Sequence, residues 1–307
     1  MTNSIPPLDG AADPNAWNFL ADHGPLPNPV GHTFPLVTHN SEGQWRLIGT
    51  GFYISSDGLF VTAKHVVEDV LKGAQQIGPL AIFHLRSPSG LFGPQEYLIR
   101  PIMQCWLGEK ADIALGVAAH ATNKTTGETL SHWCWRLSWA TLSAGTRVGT
   151  YAFPNHVIQQ VENRQTIVFR PDTYLGHIQE VADFRDRVMV PYPYLHVDFR
   201  IHGGASGGPI FGSHGAVIGI NCTELTPEGP GFGAQIRCLQ DSFIDDAILS
   251  GEQDPRQVTF TELVSTGVVA VADFTTAAIA PQPGMLVRLD AVPITACGPS
   301  IETIIYS

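Results

Sequence analysis

The chain has 307 residues, of which 44% are hydrophobic and only 15% are charged. Its formal net charge is −11, and no cluster of Lys or Arg offsets it, which argues against a nucleic acid or an anionic membrane surface as partner. No apolar stretch approaches the ~18 residues that a membrane-spanning helix requires, so the sequence predicts no membrane segment.

The N-terminal residues and the cysteines give information about the cellular location of the protein. Met1–Pro7 has neither the basic region nor the apolar region of a secretory signal. Five scattered cysteines form no C-x-x-C pair: Cys105, Cys134, Cys222, Cys238 and Cys297. This pattern predicts neither a disulfide framework nor a zinc site. From these observations we expect a cytoplasmic location.

Residues 1–30, rich in proline and polar side chains, are predicted to form an N-terminal arm. From Thr33 onward, short apolar runs alternate with turn signals, for which the chain has 31 Gly and 23 Pro. A first set of strands is predicted from Thr33 to Val117, and a second set from Thr146 to Ile236. This pattern of many short strands, with almost no alternation of strands and helices, favours an all-β barrel or sandwich.

Two helical patterns interrupt the strands. A short one covers His65–Leu71, directly after a predicted strand. The longer one covers Leu239–Leu249, where apolar residues recur at helical spacing, and it predicts a helix near the C-terminal end of the second set.

A glycine-rich turn, Gly203–Pro209, carries a candidate nucleophile, Ser206. Acyl transfer by serine requires an exposed hydroxyl and backbone N–H donors for the oxyanion, and glycines allow the main chain to supply both. The same residues also match G-x-S-x-G, the elbow of α/β-hydrolases, whose acid and histidine must follow the serine. Only His214 follows Ser206, so the chain order excludes that alternative.

A histidine and an aspartate are candidate catalytic residues alongside Ser206. His65 follows the predicted strand at Leu59–Thr62, and Asp112 begins an apolar run, where a carboxylate requires a hydrogen-bonding partner such as an imidazole. Each alone has an ordinary explanation as a surface or turn residue. Together with Ser206 they follow the order His, Asp, Ser, which is a known order of the catalytic triad.

These local contexts closely resemble trypsin-like serine peptidases, especially bacterial HtrA-type proteases. The motifs that carry the resemblance are Thr62-Ala63-Lys64-His65, Ala111-Asp112-Ile113-Ala114 and Gly204-Ala205-Ser206-Gly207-Gly208-Pro209. The resemblance covers residues 33–249 and implies an all-β fold of two packed antiparallel six-stranded barrels, with a short C-terminal helix and a small C-terminal extension. On this basis residues 31–140 form the first barrel with His65 and Asp112, 141–250 the second with Ser206, and 251–307 an extension without an assigned role.

The resemblance also implies how the site works. The backbone N–H groups of Gly204 and Ser206 form the oxyanion hole, and Gly219, Ile220 and Asn221 are the edge strand that pairs with an extended substrate. The expected activity is hydrolysis of peptide bonds in proteins or peptides through an acyl-enzyme, without a metal or an organic cofactor. Two alternatives stay open: a non-catalytic or autoinhibited peptide-binding member of the same fold, and an esterase using the same triad.

The sequence departs from the family at two points. Ala205 replaces the aspartate with which secreted digestive enzymes bind a newly cut N-terminus, so we do not expect activation by that salt bridge. Too few residues follow Leu249 for a PDZ-like domain of ordinary length, so none is expected.

Overall fold

The computed structural model describes residues 29–306 except 43, 74–75, 87–95, 123–126, 128, 130, 162–163, 183–189, 225–228, 241, 248–253, 273–283 and 292–299. The predicted arm, residues 1–30, therefore lies outside the described residues except for its last two positions. Among the described residues, no helix has the length and apolar character needed to cross a membrane.

The elements of the N-terminal half follow one another closely along the chain. In order they are α1 (Pro29–His32), β1 (Thr33–His39), β2 (Trp45–Tyr53), β3 (Leu59–Thr62), α2 (Lys64–Glu68), β4 (Leu71–Gly73), β5 (Gln76–Ile77), β6 (Ala81–Arg86), β7 (Glu96–Gly108) and β8 (Ala114–Ala118). Six of these strands pair antiparallel in the cyclic order β1–β2–β3–β8–β7–β6, and the β1–β6 pairing closes the barrel.

The second half repeats this architecture. Its elements are β9 (Arg147–Val161), β10 (Arg164–Ala182), β11 (Tyr194–Val197), β12 (Pro209–Gly212), β13 (Val217–Glu224), β14 (Gly231–Gln235) and a 3₁₀ helix (Ile236–Leu239). The six strands pair antiparallel in the cyclic order β9–β10–β11–β14–β13–β12, closed by β9–β12. The predicted fold of two six-stranded antiparallel barrels, the chymotrypsin-like fold, is confirmed.

Aromatic residues fill much of the core, as the apolar runs predict. Phe52 and Phe60 in the first barrel, and Phe153 and Phe169 in the second half, are fully buried. Phe83 of β6 contacts Phe169 of β10 with ring centroids 5.6 Å apart, so one apolar core runs from barrel to barrel. This shared packing holds fixed the junction at which the two barrels meet.

The helix predicted for Leu239–Leu249 is wrong. The chain there forms the 3₁₀ helix and then strand β15 (Phe243–Ala247), which pairs with β16 (Arg256–Thr259) and with β17 (Met285–Ala291). The indole N–H of Trp106 also donates to the Asp245 carbonyl at 2.7 Å. Tertiary partners for the backbone therefore override the local helical spacing. A short C-terminal helix is present, but it is α3 (Phe260–Ser265).

The C-terminal segment adds to both barrels. Strand β17 pairs antiparallel with β7 of the first barrel, and β18 (Ser300–Tyr306) pairs parallel with β10 of the second. Phe260 of α3 is fully buried against Trp139, with ring centroids 6.0 Å apart. The expected boundaries at residues 140 and 250 stay predictions.

Candidate active site

His65 and Asp112 lie together because β3 and β8 are neighbours. Thr62, the last residue of β3, pairs with Ala114, the first residue of β8, so the residues after β3 and before β8 leave the barrel at the same edge. Asp112 Oδ1 accepts a hydrogen bond from the backbone N–H of His65 at 3.0 Å. Its Oδ2 lies 2.7 Å from His65 Nδ1. The carboxylate thus holds both the backbone and the ring of the histidine.

The electrostatic environment of His65 favours the imidazolium. Burial is the largest single influence and would lower the pKa of His65, but the hydrogen bond that Asp112 accepts from the ring and the charges of Asp112, Asp69 and Glu68 outweigh it. The pKa of His65 is therefore raised above its ordinary value of 6.5. The His65 side chain has 40% of its surface exposed and so remains accessible to a substrate.

Ser206 lies in a tight double turn that depends on glycine. The N–H of Ala205 donates to the His202 carbonyl at 2.9 Å, and Gly204, the third residue of this turn, has φ +89° while Gly203 does not have positive φ. These features define a type II turn, which requires positive φ at that position. Gly207, directly after the serine, also has positive φ, at +87°. Both glycines thus adopt a backbone conformation that other residues seldom tolerate.

The serine turn comes from the second barrel but is attached to the first. Thr50 of β2 donates its backbone N–H to the Ser206 carbonyl at 2.8 Å and its hydroxyl to the Gly204 carbonyl at 2.7 Å. Because β2 pairs with β3, which precedes His65, these bonds bring the turn to the edge that carries the histidine.

Cys222 contacts both Ser206 and Asp112. The Ser206 hydroxyl donates to the Cys222 carbonyl at 2.9 Å. The thiol of Cys222 in turn lies 3.9 Å from the carbonyl oxygen of Asp112. In this conformation the Ser206 hydroxyl is directed to a backbone carbonyl, while His65 is bonded to Asp112.

Gly219, Ile220 and Asn221 do not form an edge, which corrects that expectation. Gly219 and Ile220 pair with β12 on one side and with β14 on the other. Asn221 exchanges backbone hydrogen bonds with Gly207 and Gly208. The side chain of Asn221 is fully buried and donates to Thr150 at 2.7 Å and to the Ala205 carbonyl at 3.3 Å, so this residue supports the serine turn.

Beyond Asn221, β13 continues with only one neighbouring strand in the described part of the chain. Thr223 and Glu224 pair with Phe232 and Gly231 of β14, whereas β12 has no residue opposite them. The other side of Cys222–Glu224 is therefore the open side of this strand, next to Ser206. The predicted edge began three residues too early, at Gly219 instead of Cys222. The alternation of residues in the sequence does not show where the neighbouring strand β12 ends.

Sequence reasoning also missed Thr50 and Cys222. Thr50 lies in β2, and nothing in the local sequence identifies its contact with a turn more than 150 residues away. The Cys222 thiol lies near the Asp112 backbone carbonyl, a contact that no local pattern indicates. Within the described residues, no group of His, Cys, Asp and Glu side chains is arranged to hold a metal ion.

Comparisons with known proteins find relatives among proteins named as serine endoproteases. No protein-family model matches the chain. A curated protein of Chlamydia pneumoniae, named a probable periplasmic serine endoprotease DegP-like, is 27% identical over 246 residues, which are 76% of this chain and 43% of that protein. Its namesake in Chlamydia muridarum is 26% identical over 68% of this chain and 35% of that protein. The match thus spans less than half of each relative's length.

Solved structures of HtrA-type proteases are also similar. The protease AlgW with a tripeptide is 18% identical over 68% of this chain and 57% of its own, with a TM-score of 0.44. Deg5 is 18% identical over 72% of this chain and 88% of its own, with a TM-score of 0.45.

The predicted cytoplasmic location is wrong, because both curated relatives are named as periplasmic proteins. The scattered positions of the cysteines were a weak guide to the cellular compartment. Two barrels with a large shared core do not need disulfide bonds, which mainly stabilise small domains. The resemblance predicted from the three motifs is confirmed: this chain is similar to HtrA-type serine proteases and has their trypsin-like double-barrel architecture.

Proposed function

We propose that the protein is a serine endopeptidase with Ser206 as nucleophile, His65 as general base and Asp112 as the residue that orients the histidine. The observation that carries the proposal is the pair of hydrogen bonds that the Asp112 carboxylate accepts from the backbone and the ring of His65. They lie at the same barrel edge to which Thr50 attaches the Ser206 turn. Similarity to proteins named as serine endoproteases supports the same activity.

In the proposed reaction, the Ser206 hydroxyl leaves the Cys222 carbonyl by rotation about χ1, a change between staggered rotamers, and donates to Nε2 of His65. Catalytic hydrogen bonds in substrate-free proteins often form only when substrate binds. His65 takes the proton as the serine oxygen attacks the peptide carbonyl, and then gives it to the leaving amine. Water then attacks the acyl-enzyme with His65 again as general base, and the Ser206 oxygen leaves with the proton that His65 returns. Asp112 stabilises the imidazolium in both steps.

The amides of Gly204 and Ser206 are proposed to receive the oxyanion. The type II turn reverses the Gly203–Gly204 peptide relative to a type I turn. In the described part of the chain, neither the Gly204 nor the Ser206 amide donates a hydrogen bond, whereas the Ala205 amide between them does. Two such donors suit a developing negative charge, and each contributes about 3–4 kcal/mol in comparable sites.

The substrate backbone is proposed to pair with the open side of Cys222–Glu224. This segment begins at the carbonyl that now accepts from Ser206, so an extended peptide added there would pass the nucleophile. Addition of a strand to a sheet edge is a common mode of peptide recognition.

A fluorophosphonate probe and a peptide library test the proposal. We expect labelling of the wild-type protein at Ser206 and cleavage of amide bonds, both lost in Ser206→Ala without loss of thermal stability. Undiminished labelling of Ser206→Ala would contradict the assignment. Cleavage of esters but not of matched amides would identify the esterase alternative, since amide cleavage needs His65 to protonate the leaving nitrogen.

The hydrogen bond from Ser206 to Cys222 favours a second candidate, a peptide-binding member whose serine is held away from the histidine. This candidate predicts no labelling of the wild-type protein, together with binding of extended peptides by both wild type and Ser206→Ala. Calorimetric titration with the same peptide library distinguishes the two.

A further inference from the structure

A buried arginine in the first barrel has no acidic partner among the described residues. Arg100, on β7, is 2% exposed. Its Nε donates to the Ala119 carbonyl at 2.8 Å, its Nη2 donates to the same carbonyl, and its Nη1 lies 2.6 Å from Nε2 of His132. The ion pairs of the described residues do not include it. A buried charge is costly unless it is paired, so the guanidinium needs a negative charge nearby.

The contact with Arg100 determines which nitrogen of His132 carries the proton. A guanidinium only donates hydrogen bonds, so Nε2 is the acceptor and Nδ1 of the neutral ring is an N–H group. The ring is neutral at pH 7 because burial, followed by the charges of Arg100 and His120, lowers the pKa of His132 to about 4. In the described part of the chain, Nδ1 is buried without a hydrogen-bond partner. A protonated nitrogen does not bind a metal ion, so this N–H group needs an acceptor.

Tyr53 adds a hydroxyl to the same cluster. It is the last residue of β2 and is fully buried, and its ring stacks on His132 with centroids 4.3 Å apart. The His84 ring packs against both, at 5.4 Å from Tyr53 and 5.1 Å from His132. The Tyr53 hydroxyl is buried and has no partner within the described residues. Burial raises the pKa of Tyr53, so the hydroxyl keeps its proton and is available as a donor.

We propose that Arg100, His132 and Tyr53 form a binding site for a small inorganic anion, for which chloride is the probe. The guanidinium supplies the charge and further N–H groups, and the other two residues supply one donor each. A water molecule would accept from these donors but would leave the charge of Arg100 unpaired. Since all three residues are buried in the barrel, only a small anion suits the site. The proposal does not depend on the peptidase activity.

Thermal unfolding of the wild-type protein gives the first test. Sodium chloride replaces sodium gluconate at constant ionic strength, because gluconate is too large for a site enclosed by the barrel. A ligand that binds only the folded state raises Tm in proportion to its occupancy. We expect a rise of about 5 °C when chloride reaches about 100 times its Kd. A Tm that does not respond to chloride would overturn the proposal.

Two tyrosine variants locate the effect. Tyr151→Phe is the matched control for Tyr53→Phe, because the Tyr151 hydroxyl is also buried without a partner in the described residues but has no charged group acting on it. Tyr53→Phe should weaken chloride binding about tenfold, the effect of one hydrogen bond to a charged group, and Tyr151→Phe should leave it unchanged. Arg100→Met should abolish the response, and the tyrosine pair still decides if this variant does not fold. Equal chloride responses in both tyrosine variants would contradict the assignment.

Crystals grown in sodium bromide provide the direct test. We expect an anomalous scattering peak between the Arg100 guanidinium and the Tyr53 hydroxyl. An ordered water there without an anomalous signal would show that water satisfies the donors, which refutes the proposal. A bromide peak in a protein whose Tm ignores chloride would show binding at crystal concentration only, and would refute it as well. Neither readout uses turnover, so the fluorophosphonate result tests the proposed function separately.

Discussion

The backbone of Gly207 lies against Thr62: a Cβ added at Gly207 would be 2.2 Å from the Thr62 Oγ1. The Thr62 hydroxyl donates to the Thr50 carbonyl at 2.7 Å, and the Thr50 N–H donates to the Ser206 carbonyl. The residue after the candidate nucleophile is thus packed against the strand that leads to His65. The spacing between the Ser206 turn and the strand before His65 depends on this contact.

Gly207→Ala is expected to destabilise the protein by more than about 3 kcal/mol, because it combines a left-handed backbone with overpacking. The new methyl would also approach the Thr50 carbonyl at 2.2 Å and the Ala63 nitrogen at 2.8 Å. Chemical denaturation gives the free energy of unfolding. Gly203→Ala is the control in the same loop, since its Cβ would meet no atom of the described residues within 4 Å. Equal stability of the two variants would show that the Gly207 contact is not structural.

The acid limb of kcat/KM should lie above pH 6.5, because the general base must be neutral and the pKa of His65 is raised above that value. Activity therefore rises as pH increases through the pKa of His65. Asp112→Asn removes the negative charge that helps to raise this pKa and replaces one of the two acceptor oxygens with an NH2 donor, so the limb should move to lower pH. Its kcat should fall by about 10⁴-fold, as in comparable triads. A limb at unchanged pH in Asp112→Asn would show that Asp112 does not set the titration.

Stability should fall in acid partly because of His132. Its ring stacks on Tyr53 with centroids 4.3 Å apart, and its Nε2 accepts from Arg100 at 2.6 Å. Burial, followed by the charges of Arg100 and His120, lowers the pKa of His132 to about 4. The unfolded chain takes up a proton near pH 6.5 and the folded protein only near 4, so stability is full above the first value and falls between them.

The contribution of His132 to this loss is about 3 kcal/mol by pH 4. His132→Gln keeps an acceptor for Arg100 but does not titrate, so its stability should depend less on pH in this range. Denaturation at pH 7.5 and pH 4 measures the difference for both proteins. Parallel losses in wild type and variant would exclude His132 as the cause.

Phe260→Ala should destabilise the whole protein by about 3–5 kcal/mol, because the fully buried ring of α3 packs on Trp139 in the body. Phe243→Ala on β15, which is 37% exposed, is the matched control and should cost less than about 1.5 kcal/mol. Thermal denaturation should show one transition in each case. Loss of the C-terminal segment in a separate, earlier transition would show that it is not part of the barrel core.

Sequence patterns were informative where the chemistry depends on local residues. The turn around Ser206 needs glycine at positions 204 and 207 because both adopt positive φ, and this need is visible as a glycine-rich motif. His65 and Asp112 were recognisable because each adjoins a strand of the first barrel, whose pairing brings them together. Short apolar runs separated by Gly and Pro likewise predicted the β-barrels.

Contacts between distant segments were beyond the reach of such patterns. The spacing of apolar residues in Leu239–Leu249 is compatible with a helix and with a strand. The segment β15 forms a strand because it pairs with β16 and β17. The open side of Cys222–Glu224 depends on where β12 ends.

By itself the sequence determined the glycine-rich turn around Ser206, the order of the three candidate catalytic residues and the β-barrel class, since each depends on local backbone preference or on motif. The tertiary structure alone decided that Cys222, 110 residues from Asp112, places its thiol beside that residue. The physical reason is that hydrogen bonds between remote segments arise from the closure and packing of the barrels, which leave no periodic signal along the chain.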